Sequence, residues 1–355
     1  MNRVERIADM FDCCYRGLKA KESSDNVVSK RTFLMRGTGS KPSIGQLSAA
    51  TVEHPTTEES EEKLQRNFVI RAMRPEELEA AYKIRLQTNY LFSKNTLETS
   101  WKMQPDSFLV AVSDDDEVLG SLSWRQFADD LIILDQLTVD RGHHGEGVGP
   151  ELTAAFVDLL SSQNIMVRLP EHIEQQFVLE MPPFPYRHST LLLSTSPASP
   201  QLERLQADAA GVTVELFESQ YLEKLLQYDM DVFHCSRASL VKRLVEGAHS
   251  VSLLAFNDDM ELLGYGVVQE MTDGTGDVSV LLADEEAIAV TLLRALALNP
   301  ATPRLLKLTS PAPSEQRDHC FAVRVGFSVR QAYVCRFTRW KQIIDVSRIF
   351  SFGAL

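Results

Sequence analysis

No apolar run in these 355 residues approaches the roughly 20 that a membrane-spanning helix needs. A soluble, cytoplasmic protein is therefore expected. Cysteine is scarce: Cys13, Cys14, Cys235, Cys320 and Cys335 form no metal-ligand spacing, and an odd number argues against a disulfide framework. A reducing compartment and no bound metal are the expectation. Basic charge is also short. The net charge of −13 argues against broad nucleic-acid binding, which depends on clustered Lys and Arg neutralising phosphates.

Residues 1–66 lack apolar periodicity over most of their length. Between Lys19 and Lys63 the chain is rich in Ser, Thr, Glu, Lys and Gly, a composition that buries too little apolar surface to offset ordering entropy. Val4, Ile7, Ala8 and Phe11 share one side of a short helical pattern, but Glu5, Asp9 and Asp12 spoil it as a targeting helix, and no secretory apolar core is present. A disordered extension is expected over 1–66, with Cys13 and Cys14 unmodified.

Glycine is concentrated where it carries most information. Gly142-His143-His144-Gly145-Glu146-Gly147-Val148-Gly149-Pro150 joins an apolar run, Leu131 to Val139, to an amphipathic pattern of Leu152, Ala155, Phe156, Leu159 and Leu160. A simple turn needs one or two glycines, and this loop has four. Glycine lets main-chain N–H groups approach a ligand closely, and a helix start adds unpaired N–H groups and a positive dipole end. The combination predicts an anion site, of the kind that holds phosphate. The helix is expected from Pro150, a residue suited to a first helical position, to Gln163. A P-loop is excluded because no Lys follows the glycines. A dinucleotide fold keeps some support from Gly145-x-Gly147-x-Gly149 and from Glu171 after the next strand.

From Phe68 onward two halves repeat one order of elements. Strand 68–71, a helix opened by Pro75-Glu76-Glu77 with Leu78, Ala81, Tyr82 and Leu86 on one side, a short helix at 97–102 and a hairpin over 107–124 precede the glycine strand. A strand at 165–169, a helix at 171–180 and a strand at 188–194 follow it. In the second half, strand 212–217, helices 220–228 and 236–246, and a hairpin of 251–256 with 261–269 are followed by strand 278–282. Helix 284–298, strand 304–308, helix 314–325 and strand 328–338 complete it. Ala111-Val-Ser-Asp-Asp-Asp-Glu-Val-Leu-Gly120 aligns with Ala255-Phe-Asn-Asp-Asp-Met-Glu-Leu-Leu-Gly264, which points to duplication. The predicted architecture is α+β, two tandem copies over 67–196 and 197–355, each a mixed, mostly antiparallel sheet flanked by helices.

Leu137-Thr-Val-Asp-Arg-Gly-His-His-Gly-Glu-Gly-Val-Gly149 before an amphipathic helix resembles the acetyl-CoA loop of the GNAT (GCN5-related) N-acyltransferases, which reads Arg/Gln-x-x-Gly-x-Gly/Ala. His144 stands where that family prefers Arg or Gln. Tyr228-Asp229, Phe233, Arg237 and Val325-Gly326-Phe327 resemble the carboxy-terminal domain of tandem GNAT proteins of bacteria and nematodes. The junction of that half, Leu281-Leu-Ala-Asp-Glu-Glu286, has no glycine, and its carboxylates would repel a pyrophosphate. The first half alone is expected to bind CoA.

The resemblance implies transfer of an acetyl or related acyl group from CoA to an amine of a small molecule or peptide, by direct attack on the thioester. It implies a pantetheine arm along Leu137, Thr138 and Val139, and a pyrophosphate on His144, Gly145, Glu146, Gly147, Val148 and Gly149. Asp135 matches a position where family members carry a base, and Tyr186 is the candidate general acid. Asp229, Phe233 and Arg237 are candidates for a substrate pocket, with Asp229 and Arg237 equally suited to a structural ion pair. The net negative charge favours a cationic acceptor. Two other readings stand beside this one: a non-catalytic acyl-CoA-binding or interaction protein on the same scaffold, and an NAD-dependent oxidoreductase.

Overall fold

The computed structural model describes residues 67–87, 97–175, 184–201, 205, 209–341 and 344–353. The extension expected over 1–66 and the second half, 176–180, of the helix expected over 171–180 lie outside them; the described half opens as a 3-10 turn, Glu171–Ile173.

The first half opens with β1 (Phe68–Ala72) and a 3-10 turn at Pro75–Glu77, where the Glu77 carboxylate accepts the Arg74 N–H at 2.7 Å and binds Arg71. Helix α1 (Leu78–Gln87) follows. It buries Ala81, Ile84 and Arg85, whereas Leu86, expected on that side, is exposed. Next come α2 (Leu97–Met103), β2 (Phe108–Ser113), β3 (Val118–Ala128) and β4 (Leu131–Val139). The β2–β3 turn at Asp114–Asp116 is closed by Asp116 in the left-handed region, which Asp tolerates. Helix α3 (Val148–Leu159) starts two residues before Pro150, which the first turn accepts because its N–H groups have no intrahelical partner. It also stops earlier than expected, leaving Leu159 exposed. Strands β5 (Asn164–Pro170), β6 (Tyr186–Arg187) and β7 (Thr190–Thr195) complete this half.

The second half runs β8 (Thr213–Leu216), α4 (Leu222–Phe233), α5 (Ala238–Val245), β9 (Ser250–Phe256), β10 (Leu262–Glu270), β11 (Gly276–Ala283), α6 (Glu286–Leu298) and β12 (Leu306–Pro313). The helix expected over 314–325 is a 3-10 stretch, Ser314–His319, and a single turn, α7 (Phe321–Arg324). Then come β13 (Val329–Phe337) and β14 (Ile349–Ser351), the latter not expected from the sequence.

The duplication is visible in register. Gly120 pairs with Val139, and Gly264 with Ala283. A Cβ would lie 2.9 Å from the Thr138 carbonyl oxygen at Gly120, and 2.6 Å from that of Leu282 at Gly264, so neither position admits a side chain. Each central strand also carries one extra residue opposite its hairpin partner, Asp135 in β4 and Ser279 in β11. The spacing from Asp135 to Ser279 equals that from Gly120 to Gly264.

Among the described residues the two halves share one 14-stranded sheet: twelve strands are ordered β1-β2-β3-β4-β5-β13-β7-β12-β11-β10-β9-β8, with β14 beside β11 and β6 beside β13 off that path. Each half lends its late strand to the other: β13 lies antiparallel between β5 and β7, and β7 lies antiparallel between β13 and β12. The halves are therefore locked by main-chain hydrogen bonds. One buried cluster crosses the join, bringing Phe127, Ile133 and Met166 together with Phe233, Leu240 and Val241 of α4 and α5. On the other face, α3 packs Leu152 and Phe156 on Leu122, Ile132 and Ile165.

Candidate functional site

β4 and β5 run parallel side by side only from Leu131–Asn164 to Ile133–Met166, while β3 follows β4 as far as Val139. Beyond Ile133 the two parallel strands part, and no described strand lies against that edge of β4. The Asp140 N–H bonds the Leu119 carbonyl at 2.7 Å toward β3. Two-residue alternation then turns the main-chain groups of Leu137 and Val139 into the gap. The Val139 carbonyl meets Nε2 of His144 at 3.1 Å. A chain of peptide-like amides could pair with this edge as a further strand would.

The glycine loop closes the end of the gap. The Asp140 carboxylate caps the turn Arg141–His143 by accepting the Gly142 N–H at 2.8 Å, and Gln87 of α1 donates to its other oxygen at 2.7 Å. Gly145 and Gly147 have φ of 86° and 82°. Side chains are strained in that region, which glycine occupies freely. A Cβ at Gly147 would meet nothing within 4 Å, so the cradle is open. Among the described residues none accepts from the N–H groups of Gly145, Gly147, Val148 or Gly149. Four converging donors at the start of a twelve-residue helix fit a pyrophosphate. His143 Nδ1 holds Glu146 at 2.9 Å, drawing that carboxylate aside, and the same contact raises the His143 pKa above its usual value.

The equivalent gap of the second half is filled by the chain itself. β11 and β12 pair only from Gly276–Leu306 to Val278–Leu308, and β14 enters beyond them, pairing Leu281 with Ser351 and Leu282 with Ile349. Ser351 donates its hydroxyl to the Val278 carbonyl at 2.7 Å and accepts the Thr309 N–H at 3.0 Å. At the strand-to-helix junction, Asp284 binds Arg348 and the Tyr228 hydroxyl. Among the described residues, no gap and no glycine loop remain there.

Asp135 lies 3.2 Å from Arg125 Nη2 across β3 and β4. Its side chain is 37 % exposed. Burial alone would raise its pKa, but the opposing charges of Arg125, Arg85, Arg243 and Arg168 outweigh that and hold it below the usual carboxylate range. It is therefore a weak proton acceptor. Tyr186 is not brought to the gap. It pairs with Phe337 of β13, which pairs with Met166 of β5, so three strand spacings, about 14 Å, separate it from β4. The Thr138 hydroxyl is buried against Ser121 at 3.1 Å, which leaves the main chain of this residue as its contribution.

Asp229, Phe233 and Arg237 line no cleft. All three are at most 3 % exposed. Arg237 Nε donates to Asp229 at 2.9 Å, Tyr265 donates to the same carboxylate at 2.6 Å, and the guanidinium lies 3.4 Å from the centre of the Phe233 ring. This is a buried ion pair within the core that joins the halves. The arginines around Asp135 were missed in the sequence because they come from α1, β3, β5 and α5 and share no motif. A small apolar cavity of about 30 Å³ lies at the join of the halves, lined by Phe127, Leu131, Met166, Cys335, Ile349 and Phe352 among others, and takes no residue from the open part of β4 or the glycine loop.

A family model described as Acetyltransferase (GNAT) family matches residues 71–175, and one described as Acetyltransferase (GNAT) domain matches residues 225–328. The chain thus carries two GNAT domains in tandem. Similar solved structures agree in fold. A candidate acetyltransferase from Pyrococcus horikoshii superposes with a TM-score of 0.59 at 14% identity, covering 81% of this chain and 94% of its own. A GCN5-related N-acetyltransferase from Sphaerobacter thermophilus gives 0.53 at 17%, covering 78% and 96%. The Saccharomyces cerevisiae N-myristoyltransferase with bound myristoyl-CoA gives 0.54 at 9%, covering 82% and 85%. No curated protein sequence matches. The dinucleotide-binding alternative falls with this fold, because the parallel unit of β4, α3 and β5 sits in a mostly antiparallel sheet, with β3 antiparallel to β4 and β13 antiparallel to β5, whereas a dinucleotide fold needs a mostly parallel sheet.

Proposed function

We propose that the first half binds acetyl-CoA and transfers its acetyl group to the amine of a small molecule or peptide. The observation that carries this reading is the edge of β4 that no described strand pairs, running straight into the amides of Gly145, Gly147, Val148 and Gly149, which no described residue accepts from. The loop amides, with His144 and Glu146 beside them, would hold the pyrophosphate, and Leu137, Thr138 and Val139 would pair through their main chain with the pantetheine amides. When bound, the thioester supplies an activated acyl carbon: the amine forms a C–N bond as the C–S bond breaks, and the proton it gives up ends on the thiol. A main-chain N–H on the open edge polarises the acyl carbonyl. Asp135, held ionised by its arginines, acts by position and charge rather than as a strong base.

The distance of Tyr186 from β4 favours one other reading, a protein that binds acyl-CoA without turning it over. Incubation of the full chain with acetyl-CoA and a broad panel of amines separates the two, with thiol release and amide mass as readouts. Amide formation is expected. Saturable acetyl-CoA binding with no product from any amine would overturn catalysis and leave the binding reading.

A further inference from the structure

The acceptor side of the gap is built from donors. Arg125 (β3), Arg168 (β5), Arg85 (α1) and Arg243 (α5) all act on the single carboxylate of Asp135. Arg85 donates to the Ser123 hydroxyl at 2.9 Å, and Ser123 pairs with Gln136, the neighbour of Asp135. Arg168 lies over the Tyr333 ring at 5.1 Å. Basic groups thus surround this carboxylate, and Arg125 and Arg243 face it from opposite halves.

Several donor atoms here lack a partner among the described residues. Nε of Arg125 and the amide nitrogen of Gln136 are buried with no described hydrogen-bond partner. Arg243 makes no hydrogen bond or ion pair with any described residue, although it is half-buried at the join of the halves. Buried polar groups are ordinarily satisfied, and exceptions call for a ligand or water. Burial, then the like charge of Arg125, push the Arg243 guanidinium down to about 10, with Asp135 opposing.

Resting on the transferase reading, we infer that the acceptor is a small amine carrying its own oxyanion, a carboxylate or a phosphate, which Arg243, Arg125 and the Gln136 amide bind while Asp135 faces the amine. The pocket then does two things. It recognises the anion through charge-assisted hydrogen bonds, and its positive field lowers the pKa of the ammonium, so that the neutral nucleophile forms without a strong base. The whole-chain charge of −13, which favours a cationic acceptor, acts over distances that salt screens beyond about 8 Å. Local arginines decide at contact range.

The test uses calorimetry on the full chain, with and without saturating CoA. The probes are glycine, glutamate, glucosamine 6-phosphate, the counterparts uncharged at the oxyanion position, glycinamide and glucosamine, and spermidine. Acetyl-CoA is titrated separately, so loss of the transferase reading shows as absent CoA heat, independent of the amine result. Binding of at least one anionic amine, about tenfold to a hundredfold tighter than its uncharged counterpart, is expected. Whether the amino acids or the amino-sugar phosphate bind identifies the anion as carboxylate or phosphate. Arg243→Gln should weaken that amine by a similar factor, Arg243→Lys should recover part of it, and acetyl-CoA affinity should be unchanged in both. Equal or tighter binding of spermidine, equal binding of charged and uncharged partners, or binding of none of the six would overturn the inference.

Discussion

Leu281 pairs with Ser351 on the flank of β11 that corresponds to the open flank of β4 beside Leu137. One duplicated scaffold thus has its gap filled in one half and vacant of described strands in the other. β14 uses the main-chain groups that a pantetheine arm would need, and the Phe352 N–H continues its pairing by donating to the Thr309 carbonyl at 2.7 Å. Native mass spectrometry of the full chain should therefore show one acetyl-CoA per chain at saturation. Two bound molecules would contradict this asymmetry.

Asp135 and Arg125 set a pH expectation. The carboxyl is held below its usual range, so it stays ionised from mildly acidic to alkaline pH. For an acid with a lowered folded pKa, the stabilising ion pair is fully present above the unfolded value of about 4 and is lost as the pH falls through the folded value. The acid limb of kcat/KM should follow the acceptor amine, and Asp135→Asn should lower kcat/KM without moving that limb. A limb that shifts or disappears in the variant would assign Asp135 as the titrating base.

Removing the Asp229 carboxylate should leave Arg237 charged within the core, where each has at most 1 % of its side chain exposed. Breaking such a buried pair costs about 3–5 kcal/mol. Denaturant unfolding of Asp229→Ala should show a loss of that size. A loss below about 1 kcal/mol would show that the pair does not hold the join of the halves.

His143 and Glu146 offer a local probe of the glycine loop. The contact raises the His143 pKa, so its stabilisation is present below the unfolded value and fades as the pH rises through the folded one. Proton NMR titration should place His143 above about 6.5, and Glu146→Gln should lower it. No change in the variant would remove the ion pair from the loop.

Much of this was legible because periodicity and glycine chemistry are local. The apolar run Leu131 to Val139, the four glycines and the hairpin ending at Gly120 and repeated at Gly264 each reflect a constraint within a few residues, and all reappear in the strands and turns described. The start of α3 was placed two residues late because Pro150 is tolerated anywhere in a first turn, not at one position. The exchange of β7 and β13 left no trace, since a strand has the same pattern whichever sheet receives it. β14 is three residues long, too short for any period to emerge. Asp229 and Arg237 showed their pairing but not their depth, because burial depends on Phe127 and Phe352 from distant segments. The arginines around Asp135 lie far apart in sequence and meet only through the sheet and α5.

The central claim is that Gly147 forms the floor of an anion cradle serving CoA. Calorimetric titration of acetyl-CoA into the parent and into Gly147→Glu tests it most directly, with circular dichroism to verify that both are folded. A glutamate there places bulk and negative charge where no atom lies within 4 Å, on a backbone with φ of 82°. The account predicts saturable binding by the parent and none by the folded variant. Equal binding by both, or no binding by a folded parent, would contradict it.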